Sequence, residues 1–256
     1  MFRTIRIAVL LYILLIVAIT TYSTRARNTD WDSPLWVSVY PINGDGSMVV
    51  RDYIGALSEE RFRPLETMMR QQAKRWGVAL KRPIDIKFAP EVKSIPPAPP
   101  TSSNPIAIVY WSLRLRFWAW RNDTFDGPAD IRLFVVYYDP AKYTTLAHSL
   151  GLQKGFLGVV NGFGESHYDG RNNVVLAHEM LHTLGASDKY DRRTNHPSFP
   201  DGFADPDRSP RYPQIRAELM AGRIPLSEHE SKMPVNLSKT VIGRSTALEI
   251  GWLRLN

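Results

Sequence analysis

The chain has 256 residues, with 32 Lys plus Arg against 25 Asp plus Glu, a formal charge of +7 and no cysteine. That length suffices for one domain with a sizeable core, and the missing cysteines exclude disulfide staples and thiolate metal sites. Four of the basic residues, Arg3, Arg6, Arg25 and Arg27, flank the N-terminal segment, so the body is only mildly basic.

Arg3 and Arg6 precede an apolar run over residues 7–19, extended weakly through Thr20, Thr21 and Tyr22. A basic start followed by such a run reads as an export signal. Cleavage needs small residues, and Thr24, Arg25 and Ala26 make a poor site. Residues 1–27 therefore read as a membrane anchor holding residues 28–256 outside the cytoplasm, or as a signal peptide if cut. The one basic cluster with stacking aromatics, Arg114, Arg116 and Arg121 among tryptophans, sits on this exported body. It suits anionic lipid headgroups or water, and no nucleic-acid partner is expected.

Residues 35–40 form a first strand, closed by a turn over 41–46. Ser58 caps a helix over 59–76, where Phe62, Leu65, Met69, Ala73 and Trp76 recur three or four apart, and Gly77 stops it. Residues 84–88 alternate and predict a second strand. The proline-rich stretch 90–105 is a stiff extended loop. Asn104 and Pro105 open a helix, cap then first-turn proline, and residues 106–120 are apolar enough for it to be buried. A strand is the alternative there, because Leu113, Leu115 and Phe117 alternate with Arg114 and Arg116. A strand over 131–138, a short helix around 143–150 and a glycine-rich strand over 155–162 follow.

Residues 178–188 read His-Glu-Met-Leu-His-Thr-Leu-Gly-Ala-Ser-Asp, at the end of a helix over 172–184. Residues four apart on a helix point the same way, so His178 and His182 can present imidazoles to one metal ion. Glu179 is off that axis and reads as the general base of a catalytic zinc. The flanks Val174, Val175, Leu176, Ala177, Met180, Leu181 and Leu184 make the helix apolar nearly all round, hence buried. Unpaired imidazoles there would be costly, and a metal removes that cost. Gly185 supplies the turn after the helix, and Asp188 follows as third ligand, with His196 and Glu218 as competitors. Tyr190 is a candidate hydrogen-bond donor to an oxyanion near the metal. Beyond Asp188 the chain is loop-like, and Asp191, Asn195, Asp201, Asp205 and Asp207 offer oxygen ligands for calcium or simply solvated turns. A closing helix is predicted over 240–250.

The pattern His-Glu-x-x-His-x-x-Gly-x-x-Asp resembles the metzincin metalloproteases, in the snapalysin-like variant with aspartate as third ligand. The resemblance implies an α+β fold with a mixed twisted sheet, an active-site helix and a C-terminal helical subdomain. It also implies a methionine turn below the zinc, for which residues 218–222 with Met220 are the candidate. Metzincins lay the substrate against an edge strand before the zinc helix, here residues 155–162. The implied activity is zinc-dependent hydrolysis of peptide bonds in a protein or peptide substrate. Two other readings stay open: a zinc amidohydrolase acting on a small amide, and a membrane-tethered binding module with a non-catalytic zinc.

Overall fold

The computed structural model describes residues 6, 11, 12, 30–101, 103–153 and 156–254. The anchor predicted over 1–27 falls almost wholly outside the described residues, as does the start of the strand predicted at 155. Among the described residues no helix is long and apolar enough to cross a membrane.

Strands β1 (Leu35–Asn43), β2 (Ile84–Phe88), β3 (Ile131–Tyr138), β4 (Leu150–Leu152) and β5 (Leu157–Phe163) form one sheet in the order β2-β1-β3-β5-β4. β1, β2, β3 and β5 run parallel, and β4 pairs antiparallel with β5 at one edge. Val37, Val39, Leu133, Val135 and Val160 fill one face of the sheet, and Tyr40, Ile42, Phe134, Val136 and Val159 fill the other. Burial on both faces explains why these strands read as near-continuous apolar runs. Helices α1 (Met48–Gly55), α2 (Arg63–Arg75) and α4 (Asp169–Thr183) cover the first face, and α3 (Pro105–Arg121) covers the second. The result is a mixed α/β architecture compatible with the α+β class.

Several elements differ from those the sequence predicts. β1 runs on through Pro41 to Asn43 instead of turning at 41. Proline is tolerated because β2 ends opposite Val39, so the Pro41 nitrogen meets no strand partner, while its carbonyl accepts from Val92 N at 2.9 Å. Helix α1 is unheralded in the hydrophobic pattern, yet Ser47 caps it by accepting from Val50 N at 3.3 Å. The helix predicted over 59–76 breaks into a 3₁₀ turn, Glu59–Phe62, and α2, with Pro64 in the first turn of the new helix. Ser58 makes no side-chain cap there.

The short helix predicted around 143–150 does not form. Its backbone is engaged elsewhere: Asn161 Nδ2 donates to the carbonyls of Ala147 and His148, and the segment leads into β4. The sheet edge is consequently β4, and β5 lies inside, so the edge strand is not at 155–162. The segment after α4 is not a helical subdomain. It holds two two-stranded sheets, 3₁₀ turns and one six-residue helix, α5 (Arg244–Glu249). The helix predicted over 240–250 shrinks to α5 because Thr240–Val241 pairs with Ala217–Glu218 and Ile242 N donates to Gln72 Oε1 at 3.0 Å. Finally, α3 is a helix rather than a strand, capped by Asn104, but it is not buried: only Leu115 and Ala119 lie fully inside.

Candidate metal centre

Helix α4 is held at both ends by polar contacts and along its length by apolar ones. Asp169 in its first turn accepts from Tyr53 Oη at 2.7 Å and pairs with Arg61, where a negative charge also suits the helix dipole. Asn172 grips the end of β5 by both its amide atoms, accepting from Phe163 N and donating to Phe163 O. Val174, Leu176, Ala177, Met180 and Leu181 are buried against the sheet. Gly185, at φ +104°, then turns the chain so that Asp188 comes back over the helix.

His178 Nε2 lies 3.3 Å and His182 Nε2 3.0 Å from Asp188 Oδ1. Ligand atoms of these residues all fall within 4.8 Å of one another, which makes them the one group among the described residues able to hold a metal through three side chains. The other ring nitrogens are committed, since His178 Nδ1 is 2.9 Å from Leu219 O and His182 Nδ1 is 2.8 Å from Ala186 O. A carbonyl only accepts, so each Nδ1 carries a proton and Nε2 is the atom each ring offers to the centre. Asp188 Oδ1 is buried, with the two Nε2 atoms beside it. Two ring nitrogens and a carboxylate oxygen this close need a proton or a metal ion between them. Tetrahedral zinc, with bonds near 2.0–2.1 Å, holds its ligand atoms roughly 3.3 Å apart, so these residues fit zinc.

The electrostatics agree with that demand for positive charge. Burial pushes the His178 imidazole down, but the Asp188 and Glu179 carboxylates outweigh it and leave it above its usual range. Burial pushes Asp188 up, but His178 and His182 outweigh that and hold it well below the usual carboxylate range. Glu179 is different: burial dominates and raises its carboxyl, although the Gly151 N–H donates to it. Its Oε2 is buried without a partner beside the centre.

The other singled-out residues divide. Met220 is buried in a 3₁₀ turn, Leu219–Ala221, closed by Gly222 at φ +69°. This turn packs on α4, supplies the carbonyl that fixes His178, and accepts Lys189 N on Met220 O at 3.0 Å. Glu218 is not brought to the centre. Its fully buried carboxylate accepts from Ala221 N, Gly243 N and Thr246 Oγ1 and so builds the turn. His196 is also elsewhere, with Nε2 3.1 Å from Ser227 O. Tyr190 lines the cleft with its ring centroid 6.4 Å from that of His178, and burial and Asp188 push its phenol up. Asp191 spends its carboxylate on the N–H groups of Arg193 and Thr194 rather than on a shared oxygen cluster.

Three contributors carry little or no signal in the motif. Gly151 is one: a Cβ there would stand 2.3 Å from Glu179 O and 2.7 Å from His182 Cβ, so only glycine lets β4 lie this close to α4. The second is the Lys189–Glu249 pair at 2.7 Å, which with the Ser187 N–H and Oγ bonds to Glu249 ties the Asp188 loop to α5. The third is Arg192, 3.3 Å from Asp188 Oδ2. A cleft of roughly 810 Å³ runs between β4 and α4, lined by Gly151, Tyr168, Arg171, His178, Glu179 and Tyr190 among others. No protein-family model matches the chain, and no curated protein matches it.

Proposed function

We propose that the protein is a zinc-dependent endopeptidase of metzincin type, with His178, His182 and Asp188 as ligands and Glu179 as general base. The observation that carries the reading is the convergence of His178 Nε2, His182 Nε2 and a buried Asp188 Oδ1, next to an unpartnered Glu179 Oε2. A zinc ion held there would activate water near neutral pH and polarise a substrate carbonyl. Glu179 Oε2 takes the proton from the attacking water and returns it to the leaving amine nitrogen as the C–N bond breaks. A raised carboxyl suits both halves of that transfer. Tyr190, which lines the same cleft, is the candidate donor to the oxyanion. β4 is the outer strand of the sheet and borders an open cleft, which favours an extended peptide over a small enclosed amide. A binding module with an inert zinc leaves the unpartnered Glu179 Oε2 without a purpose. The N-terminal apolar run supports anchoring with this body outside the cytoplasm.

The test is metal content together with cleavage of an unfolded protein by the full chain and its Glu179→Gln variant. One zinc per chain is expected in both, with turnover falling at least about a hundredfold in the variant. Wild-type turnover in Glu179→Gln would sink the general-base role. A zinc-loaded wild type that cleaves no unfolded protein or peptide would leave the binding module as the better description.

A further inference from the structure

Helix α3 carries an apolar stripe that nothing in the described residues covers. Ile106, Val109, Tyr110, Leu113, Phe117 and Trp120 are all exposed, Ile106 by 79% and Trp120 by 72%. At about 100° per residue these six fall within roughly 100° of arc, so they form one continuous face along the helix. The opposite side is firmly seated: Leu115 and Ala119 are buried on the sheet, and Trp111 and Trp118 donate their indole N–H groups to Pro97 O and Ser94 Oγ. The exposed face is therefore rigid, not a loosely packed element awaiting its core.

Its chemistry identifies the occupant. Arg114 and Arg121 border the stripe on one side and Arg116 on the other, while residues 105–121 contain no acidic residue. The Arg114 guanidinium lies over the Tyr110 ring, 5.9 Å from its centroid. An apolar face of Leu, Ile and aromatic side chains edged only by arginines matches the boundary between acyl chains and anionic headgroups. A protein partner would more commonly meet such a rim with mixed charge. Since α3 and α4 lie on opposite faces of the sheet, docking through α3 leaves the β4–α4 cleft free.

We infer that α3 is an in-plane membrane-docking surface that seats this body on an anionic bilayer, independently of whether the metal centre is catalytic.

The absence of cysteine allows a direct test. Leu113→Cys in the full chain, labelled with an environment-sensitive fluorophore, is compared with Arg70→Cys, an exposed position of α2 beyond the other face of the sheet. In vesicles of phosphatidylcholine and phosphatidylglycerol, the label at 113 should shift to the blue and brighten severalfold. Quenchers placed on the lipid about 5–10 Å below the headgroups should suppress it. The label at 70 should do neither, and Arg114→Glu with Arg121→Glu should weaken the response at 113. If vesicle-bound protein keeps the label at 113 water-exposed, the inference fails. A blue shift without vesicles also overturns it: one that grows with protein concentration assigns the stripe to a second copy, and one that does not assigns it to the chain's own N-terminal segment.

Discussion

Helices α3 (17 residues) and α4 (15 residues) are the two longest helices among the described residues, both rich in apolar side chains, and the structure treats them oppositely. α4 buries Val174, Leu176, Ala177, Met180 and Leu181 together with His178 and Glu179, whereas α3 buries only Leu115 and Ala119. The difference lies in what surrounds them. α4 lies between the sheet, α2, the edge strand β4 and the Leu219–Ala221 turn, so every side of it but the one lining the cleft meets protein. α3 is the one helix on the far face among the described residues, and none of those residues covers its side away from the sheet. Apolar composition thus marks a surface that must be removed from water, without saying whether protein or lipid removes it. Inside α4 the one buried polar side-chain atom without a hydrogen-bond partner is Glu179 Oε2, beside the proposed zinc site.

The sharpest way to break this contrast is at the centre itself. Asp188→Ala should lower zinc affinity by well over the 10- to 100-fold typical of losing an outer-shell partner, because it removes a ligand outright. His196→Ala should leave one zinc per chain, because its Nε2 is bonded to Ser227 O. Isothermal titration with zinc, or a competing chelator, measures both, and the reverse pattern would move the third ligand to His196.

Packing comes next in size. Leu181→Ala, at a fully buried position of α4, should cost about 2–5 kcal/mol in chemical denaturation. A loss under 1 kcal/mol would mean that α4 is far less tightly enclosed than its contacts imply.

A smaller effect follows from the clamp on the Asp188 loop. Burial works against the Glu249 carboxylate, but the Lys189 ammonium and the Ser187 N–H and hydroxyl prevail and hold it below the usual range. A depressed folded pKa means that this stabilisation is complete above the unfolded value, about 4.3, and is lost as pH falls through the folded one. Glu249→Gln should therefore be less stable than wild type at neutral pH and lose less on acidification. Thermal melts across pH 3–7 would show the two curves converging at the acid end, and parallel curves would remove the pair from the acid response.

The smallest expected change is on α3. Leu113→Ser should alter stability in solution by no more than about 0.5 kcal/mol, since the side chain is 57% exposed. A core-sized loss would show that the stripe is covered by protein.

Much of the fold was legible locally. The strands at 84–88 and 131–138, the Asn104-Pro105 helix start and the apolar periodicity of α2 follow from period and capping chemistry, which act within one turn or strand. The pair of histidines four apart and the glycine after them brought His178, His182 and Asp188 into one frame for the same reason. The helix expected around 143–150 does not form because the fate of that segment depends on partners distant in sequence: Asn161 takes the carbonyls of Ala147 and His148, and β5 takes β4 as an antiparallel neighbour. The same holds for Thr240–Val241, drawn out of a helix by pairing with Ala217–Glu218.

By itself the sequence determined which residues could hold a metal or serve as its base, because residue type and spacing on one helix are properties of a short stretch. Only the tertiary structure decided which carboxylate joins them, leaving Glu218 inside the turn and Asp188 at the centre. It alone supplied the Leu219 and Ala186 carbonyls that fix both imidazole tautomers, and the Gly151 backbone against Glu179. Backbone atoms look alike in every sequence. Their roles arise only when folding fixes where they point, which is also why one apolar helix became the wall of a polar centre and the other an uncovered face.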